Sequence, residues 1–112
     1  MAEKAQLFKG VTFRVAAQKL MPETDYYATL RDPDRDVYIS SPKVKTDSDG
    51  TAIFAFPYEM TNELRNDAIL SLMIFEAERD YMAFHKDRLV KVVPTSLKDD
   101  KDVEKNQIKN TD

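Results

Sequence analysis

Ala68-Ile69-Leu70-Ser71-Leu72-Met73-Ile74-Phe75 is the most apolar stretch of the chain, and whether it reads as strand or helix decides the fold class. Its apolar side chains populate both pleat faces, with Ser71 the only interruption, so a strand here must be covered on both sides. A buried helix is the competing reading. The run is short and ends in the polar residues 76–80, which favours strand. A chain of 112 residues has sheet enough to cover one face of most strands. One face of this strand is therefore expected to meet another copy or a partner protein, with Met73 and Phe75 as contact residues.

Outward from that stretch the pattern is mostly period two. Val11, Phe13 and Val15 alternate with Thr12, Arg14 and Ala16, as in a strand with one buried face. Tyr27, Thr29 and Arg31 alternate with Tyr26, Ala28 and Leu30, and Asp32-Pro33-Asp34-Arg35-Asp36 supplies turn chemistry, so residues 26–31 and 37–39 are expected to pair as a hairpin. A short strand over 43–46 leads to Asp47-Ser48-Asp49-Gly50, where glycine can take the positive φ of a tight turn, and residues 51–56 return from it. Residues 58–67 break the alternation and predict a long loop with room for a helical turn. Residues 81–84 and 88–93 supply one or two last strands before Pro94. Many short strands with turn signals between them indicate an all-β sandwich or barrel. We expect one domain over residues 1–97. Residues 98–112 are rich in Asp, Lys, Glu and Asn, with only Val103 and Ile108 as sizeable apolar residues, and predict a disordered charged tail, with a frayed helix as the alternative.

Two local strings refine the class. Leu20-Met21-Pro22-Glu23-Thr24-Asp25-Tyr26 resembles the L-x-P-x-T-x-Y signature of fibronectin type III and related immunoglobulin-like modules. The resemblance implies an immunoglobulin-like antiparallel β-sandwich of about seven strands. It makes Leu20, Pro22, Thr24 and Tyr26 structural residues, with the Tyr26 phenol capping backbone of the connection that precedes it. Those modules carry the signature late, whereas here it follows one good strand, so a shortened or rearranged strand order is expected. Thr46-Asp47-Ser48-Asp49-Gly50-Thr51-Ala52-Ile53-Phe54 is similar to a T-D-x-x-G-x-A-x-F hairpin of bacterial immunoglobulin-like and macroglobulin-like surface domains.

The remaining residues bound the chemistry. With no cysteine, one histidine and two glycines, thiolate sites, multi-histidine metal sites and Gly-rich phosphate loops are excluded. A net charge of -3 with both signs interleaved argues against a nucleic-acid surface. Asp32, Asp34 and Asp36, and Asp47 with Asp49, invite a calcium reading, but the EF-hand spacing fails at Val37 and Lys43, and acidic residues also populate hairpin turns. His85 lies in a charged segment that reads as a turn and has no local nucleophile motif beside it. Glu76, Glu78 and Asp80 read as a solvated turn rather than paired acids. No cofactor and no enzymatic activity are expected.

The functional signal lies in the aromatic and methionine side chains. Tyr26 and Tyr27 should point to opposite faces of their strand, and tyrosines at strand ends make good interface anchors. Tyr58, Met60, Tyr81, Met82 and Phe84, with Met73 and Phe75, are the candidate partner-binding set. The expectation is a non-enzymatic structural or protein-interaction module that binds a protein partner or self-associates. A carbohydrate-binding module is the alternative, disfavoured by the lack of tryptophan. No leading run has the length of a secretory signal and none is long enough to insert in a membrane. Surface-type architecture without cysteine suggests cytoplasmic synthesis with incorporation into a phage virion, as capsid, tail or baseplate accessory.

Overall fold

The computed structural model describes residues 5–94. The expected tail, 98–112, lies outside them. Strands make up 54% and helix 4% of the described residues, which settles the all-β class. In chain order the elements are β1 (Ala5–Phe8), β2 (Phe13–Ala17), β3 (Asp25–Asp32), β4 (Val37–Ser40), β5 (Val44–Lys45), β6 (Ala52–Phe56), α1 (Tyr58–Thr61), β7 (Ile69–Glu76) and β8 (Tyr81–Val93).

Six strands form one sheet in the order β1-β8-β7-β3-β4, with β5 also on β3, and β2 pairs with β6 as a separate ribbon. The expected hairpin is β3–β4, with Leu30 opposite Ile39. The decisive apolar stretch is β7, a strand between β3 and β8. Its alternation sends Leu70, Leu72 and Ile74 to one side, where they are buried, and Ile69, Met73 and Phe75 to the other, where they are half-buried.

The ribbon covers the first side. Phe13 and Ala17 of β2 and Ala52, Phe54 and Phe56 of β6 face inward and join Leu7, Ala28, Leu30, Leu70, Leu72, Ile74, Val90 and Val92 in one core. Phe54 and Phe56 have no exposed surface, and the Phe13 and Phe56 rings lie 6.4 Å apart. Each such buried aromatic contributes about 2–3 kcal/mol through area removed from water. Among the described residues nothing comparable covers the second side.

Four expectations need correction. There are eight strands among the described residues rather than about seven, because residues 5–8 form a strand that the polar start of the chain conceals. That strand runs parallel to β8, Leu7 opposite Val92, so the sheet is not wholly antiparallel. The 47–50 turn does not close a hairpin: β5 stays on β3 while β6 crosses to β2, since only there do Ala52, Phe54 and Phe56 stack over the core. Finally, His85 sits in strand, not in a turn. β8 runs through it and absorbs its extra residues as register shifts, one of them beside Ser71, whose hydroxyl accepts from Arg88 N–H (3.4 Å) and donates to Asp87 (3.0 Å). Arg88 takes φ 50° there.

Candidate interaction surface

Two regions stand out, a knotted corner and an open sheet side. At the corner the chain leaves the ribbon after β2 and enters the large sheet at β3. Tyr26, buried in the core, accepts a hydrogen bond at its phenol oxygen from Met21 N–H (3.1 Å), which is the contact the resemblance implies. Thr24 donates its hydroxyl to Pro22 C=O (2.8 Å), tightening the turn; Leu20 packs on the core and Pro22 is exposed. The second string closes on the first. The buried Thr46 hydroxyl donates to Met21 C=O (2.5 Å) and accepts from Thr24 N–H (2.9 Å), while Leu20 N–H donates to Gly50 C=O (3.0 Å). Gly50 has φ +77°, and a Cβ on it would fall 2.0 Å from the Leu20 carbonyl oxygen. Only glycine fits so close an approach.

The acidic loops build turns. Asp47 accepts from Asp49 and Thr51 N–H, each at 2.9 Å. Buried Asp32 accepts from Asp34 N–H (3.1 Å) and from the Arg65 guanidinium (3.2 Å), tying the β3–β4 turn to the loop before β7. Among the described residues no group of three or more His, Cys, Asp or Glu side chains converges as metal ligands would. Asp87 takes both the Ser71 hydroxyl and His85 Nε2, the latter at 3.1 Å. The carboxylate therefore lies between serine and histidine.

On the open side, β3, β7 and β8 present Tyr27, Phe75 and Met82 in one cross-strand row and Thr29, Met73 and His85 in the next. Tyr27 stacks on Phe75 with centroids 5.3 Å apart. Its hydroxyl donates to Asp80 (3.1 Å), and partial burial together with that hydrogen bond and the Asp80 charge pushes its pKa above the usual phenol value. Tyr26 and Tyr27 thus point to opposite faces, as the alternation predicts. Beside the row runs an open edge: β1 covers β8 only along 90–93, so residues 81–88 have no strand partner on that side among the described residues. Tyr81 (61% exposed), Met82 (46%) and Phe84 (41%) lie along it.

The candidate partner-binding residues do not form one patch. Met73, Phe75 and Met82 share the open face, whereas Phe84 and Tyr81, opposite Ile74 and Glu76, lie at the edge on the other side of the sheet. Tyr58 and Met60 belong to α1, which is anchored elsewhere: the buried Thr61 hydroxyl accepts from Gly10 N–H (3.1 Å) and donates to Val11 C=O (3.0 Å), just past β1. Since Phe8 lies opposite Val93, α1 sits at the far end of a 13-residue strand from Tyr81. At roughly 3.3 Å per residue that separation is on the order of 30 Å or more. Met60 packs against the core, while Tyr58 is exposed. Tyr27 is the residue missing from the candidate set, and its alternation with buried Tyr26 was the signal for it.

No protein-family profile matches the chain, and neither the curated proteins nor the solved structures hold a match to it. No helix among the described residues is long and apolar enough to cross a membrane.

Proposed function

We propose that the chain is an immunoglobulin-like module acting as a non-enzymatic structural or protein-interaction subunit of a larger assembly, a phage virion being the favoured setting. Strand order supports the fold part of this reading. The run β8-β7-β3-β4 has the order of the G-F-C sheet extended by C′, and β2–β6 that of the B–E pair on the opposite sheet. On that assignment the corner tyrosine occupies the crossing from B to C instead of the E–F corner, which accounts for its early position in the chain.

The functional part is carried by one observation: a large sheet whose second face holds half-buried Tyr27, Phe75 and Met73 beside exposed Met82, with no layer of the described chain over them. A face of this kind suits a protein partner, because aromatic and methionine side chains give much contact area for little lost rotamer freedom. The test is to sediment large particles from the source and quantify the chain in them. The expected result is a fixed stoichiometric ratio in particles, lost in a folded Phe75→Lys variant. A chain found only among free proteins would overturn the reading, and glycan-array binding that depends on Tyr27 and Phe75 would favour the carbohydrate-binding alternative.

A further inference from the structure

We infer that the Asp49–Gly50 peptide bond is a self-modification site, protected while the corner is intact and converted to an isoaspartyl linkage once the corner opens. The inference is independent of the interaction-module reading. Asp49 precedes one of the chain's two glycines and Lys9 the other, so this is its one Asp-Gly step. A backbone nitrogen can attack the side-chain carboxyl carbon of an aspartate that precedes it, and glycine, with no Cβ, leaves that approach unhindered. Here the Gly50 nitrogen would bond to Asp49 Cγ, its proton and the carboxyl hydroxyl would leave as water, and a succinimide ring would close. Water adding back at the ring carbonyl that was the Asp49 backbone breaks its bond to the Gly50 nitrogen, leaving Gly50 joined through the side-chain carbon; addition at the other carbonyl regenerates the original bond. Only water is lost and regained.

The intact corner opposes the first step at the attacking nitrogen. Gly50 N–H donates to Asp47 C=O (3.1 Å), the same carbonyl that accepts from Glu23 N–H (3.2 Å), and ring closure would remove the hydrogen that makes this bond. Asp47 Oδ1 receives the N–H of Asp49 and that of Thr51, which fixes the peptide groups before and after the reacting pair and keeps the Gly50 nitrogen from turning toward the Asp49 carboxyl. Asp49 is exposed and Gly50 is buried against Leu20. The carboxyl is therefore available and the nitrogen is not. The product, in turn, cannot rebuild the corner. An isoaspartyl linkage routes the main chain through Cβ and adds one atom to the turn, yet Gly50 already stands where a Cβ would fall 2.0 Å from the Leu20 carbonyl oxygen while its own C=O holds Leu20 N–H. Opening admits the reaction, and the reaction keeps the corner open.

The test incubates the full chain at neutral pH, folded and in guanidinium chloride, and follows residue 49 in the tryptic peptide 46–65, where electron-transfer fragmentation distinguishes the two linkages. The rate should follow the fraction of time the corner is open. Isomerisation is expected to be at least about thirtyfold slower in the folded chain, and a smaller difference overturns the protection. Tyr26→Phe, which frees the Met21 N–H, should speed the folded-state reaction about five- to thirtyfold. Gly10→Ala, beyond the other end of β2, should leave it unchanged, and equal acceleration by the two substitutions overturns the corner as the gate. Asp49→Asn closes the same ring faster and reports it as a mass change; it should rank the folded, unfolded and Tyr26→Phe chains in the same order, and another order overturns the proposal. Asp49→Glu, which needs a larger ring, should abolish the reaction in all of them. Isomerised chain, purified and refolded, should show a lowered urea midpoint and lose hydrogen-exchange protection at Leu20 and Gly50. An unmoved midpoint with both amides still protected overturns the one-way step.

Discussion

The corner around Tyr26 and the edge of β8 are both places where backbone leaves regular pairing, and they resolve it in opposite ways. At the corner the orphaned groups are bonded within the chain: Met21 donates its N–H to Tyr26 and accepts at its C=O from the Thr46 hydroxyl, Thr24 donates its N–H to Thr46, and Leu20 donates its N–H to Gly50 C=O. Along 81–88 the outward edge has no such internal partner among the described residues. On the proposed reading, stability is concentrated at the first and recognition at the second. Substitutions should separate the two.

At the corner the largest effect is expected at Gly50. Any side chain there suffers both a positive φ and collision with the Leu20 carbonyl, and because the colliding atom is backbone, relief requires the two strings to part. Gly50→Ala should cost about 3–5 kcal/mol, at the upper end of single substitutions, read from the urea midpoint. Gly10 is the control. It has the same φ of +77°, but a Cβ there would meet only Asn62 at 3.7 Å, so Gly10→Ala should cost about 1–2 kcal/mol from backbone strain alone. Equal losses at the two glycines would remove the close-packed corner from the account.

Tyr26→Phe comes next. It deletes one hydroxyl, leaves the ring in the core and orphans the Met21 N–H, for an expected loss of about 1–2 kcal/mol with no change in the slope of the denaturant transition. An unmoved midpoint would mean that water replaces the phenol at no cost.

How far these regions were legible in the sequence follows from the range of the interactions involved. Tyr26 was readable because its partner lies five residues away, and β3, β4 and β7 because alternation and turn chemistry are local. The role of Thr46 was not, since its contacts span 22 and 25 residues. The same holds for β1: Ala5-Gln6-Leu7-Phe8 carries no strand signal of its own and is a strand because the 90–93 edge of β8 is there to receive it. His85 was misplaced for a related reason. Charged side chains signal solvent, and an exposed edge strand is as solvated as a turn. The grouping of Tyr58 and Met60 with Tyr81 failed because composition carries no information on which end of a sheet a loop returns to.

Phe75→Lys should have a smaller effect on stability than either corner substitution. The side chain is on the uncovered face, where the lysine head can reach water, so the loss is expected to be about 1 kcal/mol and confined to the contact with Tyr27. Leu72→Lys, three residues earlier on the covered face, should abolish cooperative unfolding, because it buries an unpaired charge against the ribbon. If both variants unfold alike, the second face is as much a core as the first, and no side of β7 is left for a partner.

The smallest effect is a pH dependence at the start of the edge. Glu76 ends β7 opposite Tyr81 and receives both the Nε (2.5 Å) and the second guanidinium nitrogen (2.7 Å) of Arg79, whose guanidinium also lies over the Tyr81 ring at 5.8 Å. Those hydrogen bonds hold the Glu76 carboxyl below its ordinary value of 4.5, outweighing the opposing cost of burial, with the Arg79 charge helping. Because the folded-state value is the lower one, the carboxylate stabilises the fold fully above the ordinary glutamate value. That contribution fades as pH falls through the folded one. Arg79→Met should therefore flatten the acid side of the stability profile while leaving the profile near neutral pH parallel to that of the unmodified chain. It should also loosen the Tyr81 ring that begins the edge, visible as a change in tyrosine fluorescence. An unchanged acid limb in Arg79→Met would assign the acid sensitivity to other carboxylates and leave the β7–β8 turn without an electrostatic part in holding the edge.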